Sequence, residues 1–335
     1  MSLLLLTVFV FTFFKSTFET DFSDAIENRD LEFLKKMVSD PANVEECRGA
    51  LFSAVNRGKA ENLQLLVDAN IDVNLTKRNG LTALQSAAFQ GRADIISILI
   101  NAKAEIDREH NGHTALSRAC SEGYVDVVKL LIANRANVNR KNNVPIDLSH
   151  YYYYFDVAST ALLLAVRNNH VEVVRLLAEA RADLDYVDEF GRFALGDAIR
   201  NDRTEVVKVL IDHNVNVLYC DERRGKYPLM TAVSYRNYQI TALLLTANAD
   251  VNFTDDRFRS ALNIAVDKED CATTGLLVRH GADTLSVSNN AFFKRYVNYF
   301  RSFTIFSNFV EPLPSEHTSI VVGVVNDVVS MGFDL

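Results

Sequence analysis

The chain repeats itself, and the period of the repeat limits the architectures open to it. Residues 79–107 read NGLTALQSAAFQGRADIISILINAKAEID, and residues 111–139 read NGHTALSRACSEGYVDVVKLLIANRANVN. Thr82 falls on Thr114, Ala87 on Ala119 and Leu99 on Leu131, an offset of 32 residues. Extending the register recovers an alanine at Ala25, Ala54, Ala87, Ala119, Ala165, Ala198, Ala232 and Ala265. Twelve positions on stand Met37, Leu66, Leu99, Leu131, Leu177, Leu210, Leu244 and Leu277. Three positions before most of the alanines stand Leu51, Leu84, Leu116, Leu162, Leu195, Leu229 and Leu262. A period of 20–50 residues marks stacked supersecondary units rather than one closed core.

Each unit has the same physical order. A polar turn signal comes first, such as Asn79-Gly80, Asn111-Gly112, Phe190-Gly191 or Arg224-Gly225. A short helix follows, with Leu and Ala three apart on one face. The alanine is small, so a neighbouring helix can approach it closely. After a break at Gly58, Gly91 or Gly123 comes a second helix such as Val125-Asp126-Val127-Val128-Lys129-Leu130-Leu131. The unit closes on an extended Ala136-Asn137-Val138-Asn139 or Ala249-Asp250-Val251-Asn252.

These residues resemble the ankyrin repeat, whose period is 33 with a T-P-L-H-x-A motif. Thr82-Ala83-Leu84 and Thr114-Ala115-Leu116 lack its proline, and Tyr227-Pro228-Leu229 keeps the proline without the threonine. The family's glycine after the second helix survives in Gly281-Ala282-Asp283 and is arginine in Asn134-Arg135-Ala136 and Ala180-Arg181-Ala182. The resemblance implies an all-α ankyrin-repeat solenoid of helix-turn-helix units with β-turn fingers. It places an apolar N-terminal segment at 1–21, a degenerate capping repeat at 22–47, about seven repeats over 48–284, and a capping helix with a tail at 285–335. His170 occupies a family position where histidine is a structural helix-start residue.

A stack of such units binds partners with what its core grammar leaves free. The resemblance implies a concave groove lined by first helices and turn tips. In this register its candidate residues are Phe89, Gln90, Glu122, Arg167, Asn168, Arg200, Asn201 and Tyr235, with Arg223 and Arg224 on a turn tip. Arg and Tyr are enriched at binding hot spots. The alternative for each is a solvated polar face, and Arg223 and Arg224 have Asp221 and Glu222 beside them.

The step from Ala119 to Ala165 is longer than the others and places an insertion near 143–157. It carries Tyr151, Tyr152, Tyr153 and Tyr154. Such a segment serves as a binding knob or packs its rings back onto the array. The N-terminal run from Leu3 to Phe14 is apolar and too short to span a bilayer. It has the length of a signal-peptide core but no preceding basic residue. It is either a secretory or membrane-associating segment or an arm packed on the first repeat. Residues 291–303 read AFFKRYVNYFRSF, an amphipathic basic helix that either caps the array or meets a membrane or a partner. The apolar stretch and Leu313-Pro314 near the C-terminus resemble the SOCS box of ubiquitin-ligase adaptors, without its characteristic leucine and cysteine.

Acidic residues number 43 against 35 basic ones, a net charge of −8 that disfavours nucleic acid as the main partner. Cys47, Cys120, Cys220 and Cys271 have neither metal-ligand nor disulfide-framework spacing, so reduced thiols in the cytoplasm are expected. There is no P-loop, H-E-x-x-H, G-x-S-x-G or dinucleotide motif. The expectation is a monomeric scaffold or adaptor that binds a protein, without catalytic residues, metal or cofactor. The alternatives are a membrane-associated or secreted effector and a ubiquitin-ligase substrate receptor.

Overall fold

The computed structural model describes residues 24–141, 159–218 and 227–298. The segments Leu3–Phe14, Tyr151–Tyr154, Arg223 with Arg224, and the tail beyond 298 lie outside these residues. The chain divides into two compact units, residues 1–182 and 183–335.

In the first unit, a helical turn at 24–27 and helix α1 (Leu31–Ser39) precede four helix pairs. These are α2 (Val44–Asn56) with α3 (Ala60–Asp68), α4 (Ala83–Phe89) with α5 (Ala93–Asn101), α6 (Ala115–Glu122) with α7 (Val125–Ala133), and α8 (Ala161–Arg167) with α9 (Val171–Glu179). Among the described residues the second unit holds three pairs: α10 (Ala194–Arg200) with α11 (Thr204–Asp212), α12 (Pro228–Ser234) with α13 (Tyr238–Thr246), and α14 (Ala261–Asp267) with α15 (Cys271–Arg279). A further helix begins at 291 and continues to 298, where the described residues end. Helix α2 opens at Val44, earlier than the repeat boundary at 48 read from the register. The cause is local: Asp40 accepts from the Ala42 N–H, and Pro41 opens a short 3₁₀ turn that runs directly into α2.

Sequence dictates where the first helices start. Thr82, Thr114, Thr160 and Ser260 sit in extended backbone and accept from the N–H three residues on. Gln85, Ser117 and Asn263 return the bond to the cap, completing capping boxes. Helix α12 has no side-chain cap and instead has Pro228 at its first position, where a missing N–H costs nothing.

The three register series form the core. Leu66, Leu99, Leu131 and Leu177 are fully buried in the first unit, and Leu210, Leu244 and Leu277 in the second. Ala87, Ala119, Ala165, Ala198, Ala232 and Ala265 are equally buried. Within each unit the first helices pack more closely on one another than the second helices do, because alanine holds the contact positions. The first-helix side of each unit is therefore its concave side.

Neighbouring repeats are also joined by polar bonds. Asn74 donates to the Lys103 carbonyl at 3.3 Å and accepts from the Glu105 N–H at 2.8 Å. Asp107 accepts from the Asn137 N–H at 3.0 Å, and Asn139 donates to the Arg181 carbonyl at 3.3 Å. Asn252 repeats the two-way bond with Gly281 and Asp283 at 3.1 and 2.7 Å. Asn74, Asp107, Asn139 and Asn252, each at the end of a repeat, thus bridge to the next repeat. Glycine at the helix–helix break admits the following repeat. A Cβ on Gly123 would lie 2.4 Å from His170 Nδ1, and His170 Nε2 donates to the Ser121 carbonyl at 2.9 Å.

Among the described residues the turn fingers contain isolated bridges and no longer strands: Thr76 with Thr82, His110 with His113, Lys141 with Thr160, and Thr254 with Ser260. The Lys141–Thr160 bridge joins the described residues on either side of 142–158. At the C-terminal end, Asn290 accepts from the N–H groups of Phe292 and Phe293 and starts the last helix. Phe293 and Tyr296 of that helix are buried.

Candidate protein-binding surface

In the first unit, the ends of α2, α4, α6 and α8 stand side by side on the concave face. Phe89, the last residue of α4, is 54% exposed and is the large apolar side chain presented there. Gln90 follows it and turns inward: its Nε2 donates to Asn56 Oδ1 at 3.2 Å and to Ser86 Oγ at 3.4 Å. Ser86 Oγ donates to the same Asn56 oxygen at 2.9 Å. Asn168 likewise spends its amide on the array, donating to the Ser121 carbonyl at 2.9 Å. Glu122 ends α6 exposed, and Arg167 ends α8 half-buried.

One further residue belongs to this face. Arg118 lies one helical turn before Glu122 on α6, two positions after the core Leu116. Its Nε is buried and has no hydrogen-bond partner. Burial lowers its proton affinity, and Glu122 offsets this in part at a distance. His110, on the neighbouring finger, also has a lowered proton affinity, first from burial and then from the charge of Arg118. The charge of Arg118 is thus felt at His110, and both groups are partly desolvated. The candidate set drawn from helix ends omits Arg118, although its spacing of four from Glu122 puts the two on one face.

In the second unit, Arg200 pairs with the buried carboxylate of Asp197, and Asn201 Nδ2 donates to the Asp197 carbonyl at 2.8 Å. Both side chains brace the end of α10. Tyr235, the cap of α12, is 51% exposed, and Tyr238 at the start of α13 is also exposed. Arg236 donates to the Lys268 carbonyl of the next repeat at 2.7 Å. At the fingers, Asp188 binds Arg192, whose guanidinium stacks over Phe190 at 4.8 Å. Asp255 accepts two bonds from the Arg259 guanidinium, at 3.0 and 2.8 Å. Phe258 tips that turn, exposed and with φ +57°, where the matching turn has Gly191.

Among the described residues, no three His, Cys, Asp or Glu side chains gather as a metal site, and no helix is long and apolar enough to cross a membrane. Cys47 and Cys120 are buried free thiols.

Stacked helix pairs joined by turn fingers, with polar bridges from repeat to repeat, define a helical repeat protein. The family model for ankyrin repeats in three copies matches residues 22–109, 51–142 and 149–221, and the single ankyrin-repeat model matches 224–256. The chain belongs to the ankyrin-repeat family. Its fold is the all-α ankyrin solenoid, and such domains generally mediate protein–protein interaction. It is similar to the crystal structure of the human ASB11 ankyrin repeat domain, with a TM-score of 0.54 and 22% identity, covering 70% of this chain and 98% of that one. It is also similar to the ankyrin repeat domain of Bcl-3, a member of the IkappaB protein family, with a TM-score of 0.56 and 23% identity, covering 64% of this chain and 92% of that one. Identities this low carry the fold alone.

Among curated proteins, an 87-residue stretch is 32% identical to the Notch-regulated ankyrin repeat-containing protein of Homo sapiens and of Xenopus laevis, covering 24% of this chain and 76% of each of those. A 57-residue stretch is 39% identical to serine/threonine-protein kinase 12 of Arabidopsis thaliana. That match covers 17% of this chain and spans only 12% of the kinase's length.

Proposed function

We propose that this chain is a non-catalytic adaptor or scaffold that holds a segment of a partner protein against its concave first-helix faces. The observation that carries the reading is the placement of Phe89 and Tyr235. Each is a large aromatic left half-exposed on the concave side of its unit, while most polar neighbours are satisfied within the array. Rigid aromatics in such positions are the residue type that dominates binding energy. The buried free thiols Cys47 and Cys120 suit a reducing compartment, which supports a cytoplasmic location for the module.

The test combines Phe89→Ala with Tyr235→Ala, exposed substitutions that leave the core untouched. Proximity labelling in living cells identifies the partners of the unaltered chain, and their affinities are then measured for both proteins. Loss of one hot-spot aromatic costs about 2 kcal/mol or more, so binding is expected to weaken at least tenfold. Unchanged affinity at an unchanged melting temperature would mean that another face binds.

A further inference from the structure

Arg118, on α6 of the first unit, has no bonded counter-charge. Its Nε is buried without a hydrogen-bond partner, although the chain carries 43 acidic residues. A partly buried cation that lacks a partner is costly, and buried polar groups in folded proteins are paired as a rule. Glu122 lies within one turn, yet the two side chains form no ion pair. His110 on the adjoining finger adds a second basic group rather than a counter-charge. One repeat earlier on the other side of Phe89 stands Arg57, the C-cap of α2. Its side chain is exposed and, among the described residues, no bond or ion pair holds it. Three successive repeats of this unit thus carry Arg57, the exposed Phe89 and Arg118 on their first helices or caps, and neither guanidinium forms an ion pair among the described residues.

Resting on the adaptor reading above, we propose that the first unit's concave face takes an acidic segment of the partner. Its carboxylates pair with Arg57 and Arg118, and an apolar side chain between them rests on Phe89. Charge complementarity selects this occupant. A guanidinium offers a planar fork of donors that matches a carboxylate. Phe89 supplies apolar area between the two charges, so the site favours a peptide over a bare anion. Glu122 opposes the same ligand and tunes the face against over-strong binding.

The test uses the full chain and a phage library of random peptides. Peptides selected on the unaltered protein are expected to be enriched in Asp and Glu with an aromatic or aliphatic residue among them. Their binding is expected to weaken with added salt, as screened charge pairs do. Arg57→Gln, which is exposed, and Arg118→Met, which keeps the apolar stem, are each expected to weaken a selected acidic peptide about tenfold. Glu122→Gln is expected to strengthen it. Melting temperatures of the variants separate lost binding from lost folding, and Arg57→Gln alone suffices if Arg118→Met does not fold.

Three outcomes overturn the proposal. One is a selected pool that is neutral or basic but lost with Phe89→Ala, which leaves the adaptor reading standing and removes the acidic ligand. Another is tighter binding of single-stranded DNA than of the selected peptides. The last is selection that ignores Phe89, Arg57 and Arg118 together, which removes the concave face as well.

Discussion

The ends of the second helices store strain that can be released without touching the core. At seven matching positions the chain turns left-handed: Asn70, Lys103, Arg135, Arg181, Asn214, Asn248 and Gly281, with φ between +62° and +83°. The bonding is that of a Schellman cap. The Lys103 N–H donates to the Ile100 carbonyl and the Ala104 N–H to the Leu99 carbonyl, both at 2.9 Å. Arg135 with Ala136 and Arg181 with Ala182 repeat the pattern. A side chain with a Cβ costs about 1–2 kcal/mol in this conformation. Glycine there recovers that cost but loses about 0.5–1 kcal/mol through greater freedom of the unfolded chain. Lys103→Gly, Arg135→Gly and Arg181→Gly are exposed and are expected to gain about 0.5–1 kcal/mol each. All three lie in the first unit at separate repeats, so the triple variant is expected to gain about 1.5–3 kcal/mol. Asn70→Gly is expected to gain less, because asparagine tolerates the left-handed region. Urea unfolding followed by far-UV circular dichroism, with hydrogen exchange on the first unit's core amides, measures both. A triple variant no more stable than the parent would refute the strain argument. So would an equal gain at Asn70.

Three further outcomes follow from burial and charge. Leu131→Ala and Leu210→Ala empty fully buried positions and are expected to cost about 2–5 kcal/mol each in urea unfolding. Leu218→Ala, at a position 57% exposed, should change stability by less than about 0.5 kcal/mol. Burial pushes the Cys120 thiol far up, and burial followed by the charge of Glu46 raises Cys47. Iodoacetamide at neutral pH should therefore label exposed Cys271 in the native protein and reach Cys47 and Cys120 only on unfolding, as read by peptide mass spectrometry. Burial alone would raise the Asp255 carboxyl, but hydrogen bonds from the Arg259 backbone, the Arg259 side chain and the Arg257 backbone outweigh it and leave it lowered. Its folded value thus lies below its unfolded one, so its stabilisation is complete above the ordinary aspartate range near about 3.9 and fades as pH falls through the folded value. Asp255→Asn should flatten that acid limb of the unfolding curve, and an identical limb in both proteins would contradict this.

The core was legible in the sequence because burial repeats with the register: Leu84, Ala87 and Leu99 recur as one buried set in each repeat. The Asn or Asp closing most repeats was visible as a motif. Its purpose emerged only when Asn74 and Asn252 met the backbone of the next repeat. The binding face was less legible, for the same physical reason. A polar side chain at a helix end looks free in sequence, yet Gln90 finds Asn56 and Asn168 finds Ser121 on the preceding repeat. Phe89 has no polar atom to draw it inward and the Tyr235 hydroxyl finds no partner among the described residues, so both remain exposed. Arg118 is not legible as a surface group because it lies mid-helix, where the register otherwise places core residues.

In the proposed function, partners dock on the concave first-helix faces. A photo-crosslinking amino acid placed singly at Phe89, Tyr235, Lys129 or Gln239 tests it most directly, since the last two are exposed on second helices. Light-dependent partner adducts are expected from Phe89 and Tyr235 and none from Lys129 or Gln239. Adducts confined to Lys129 and Gln239 would contradict it.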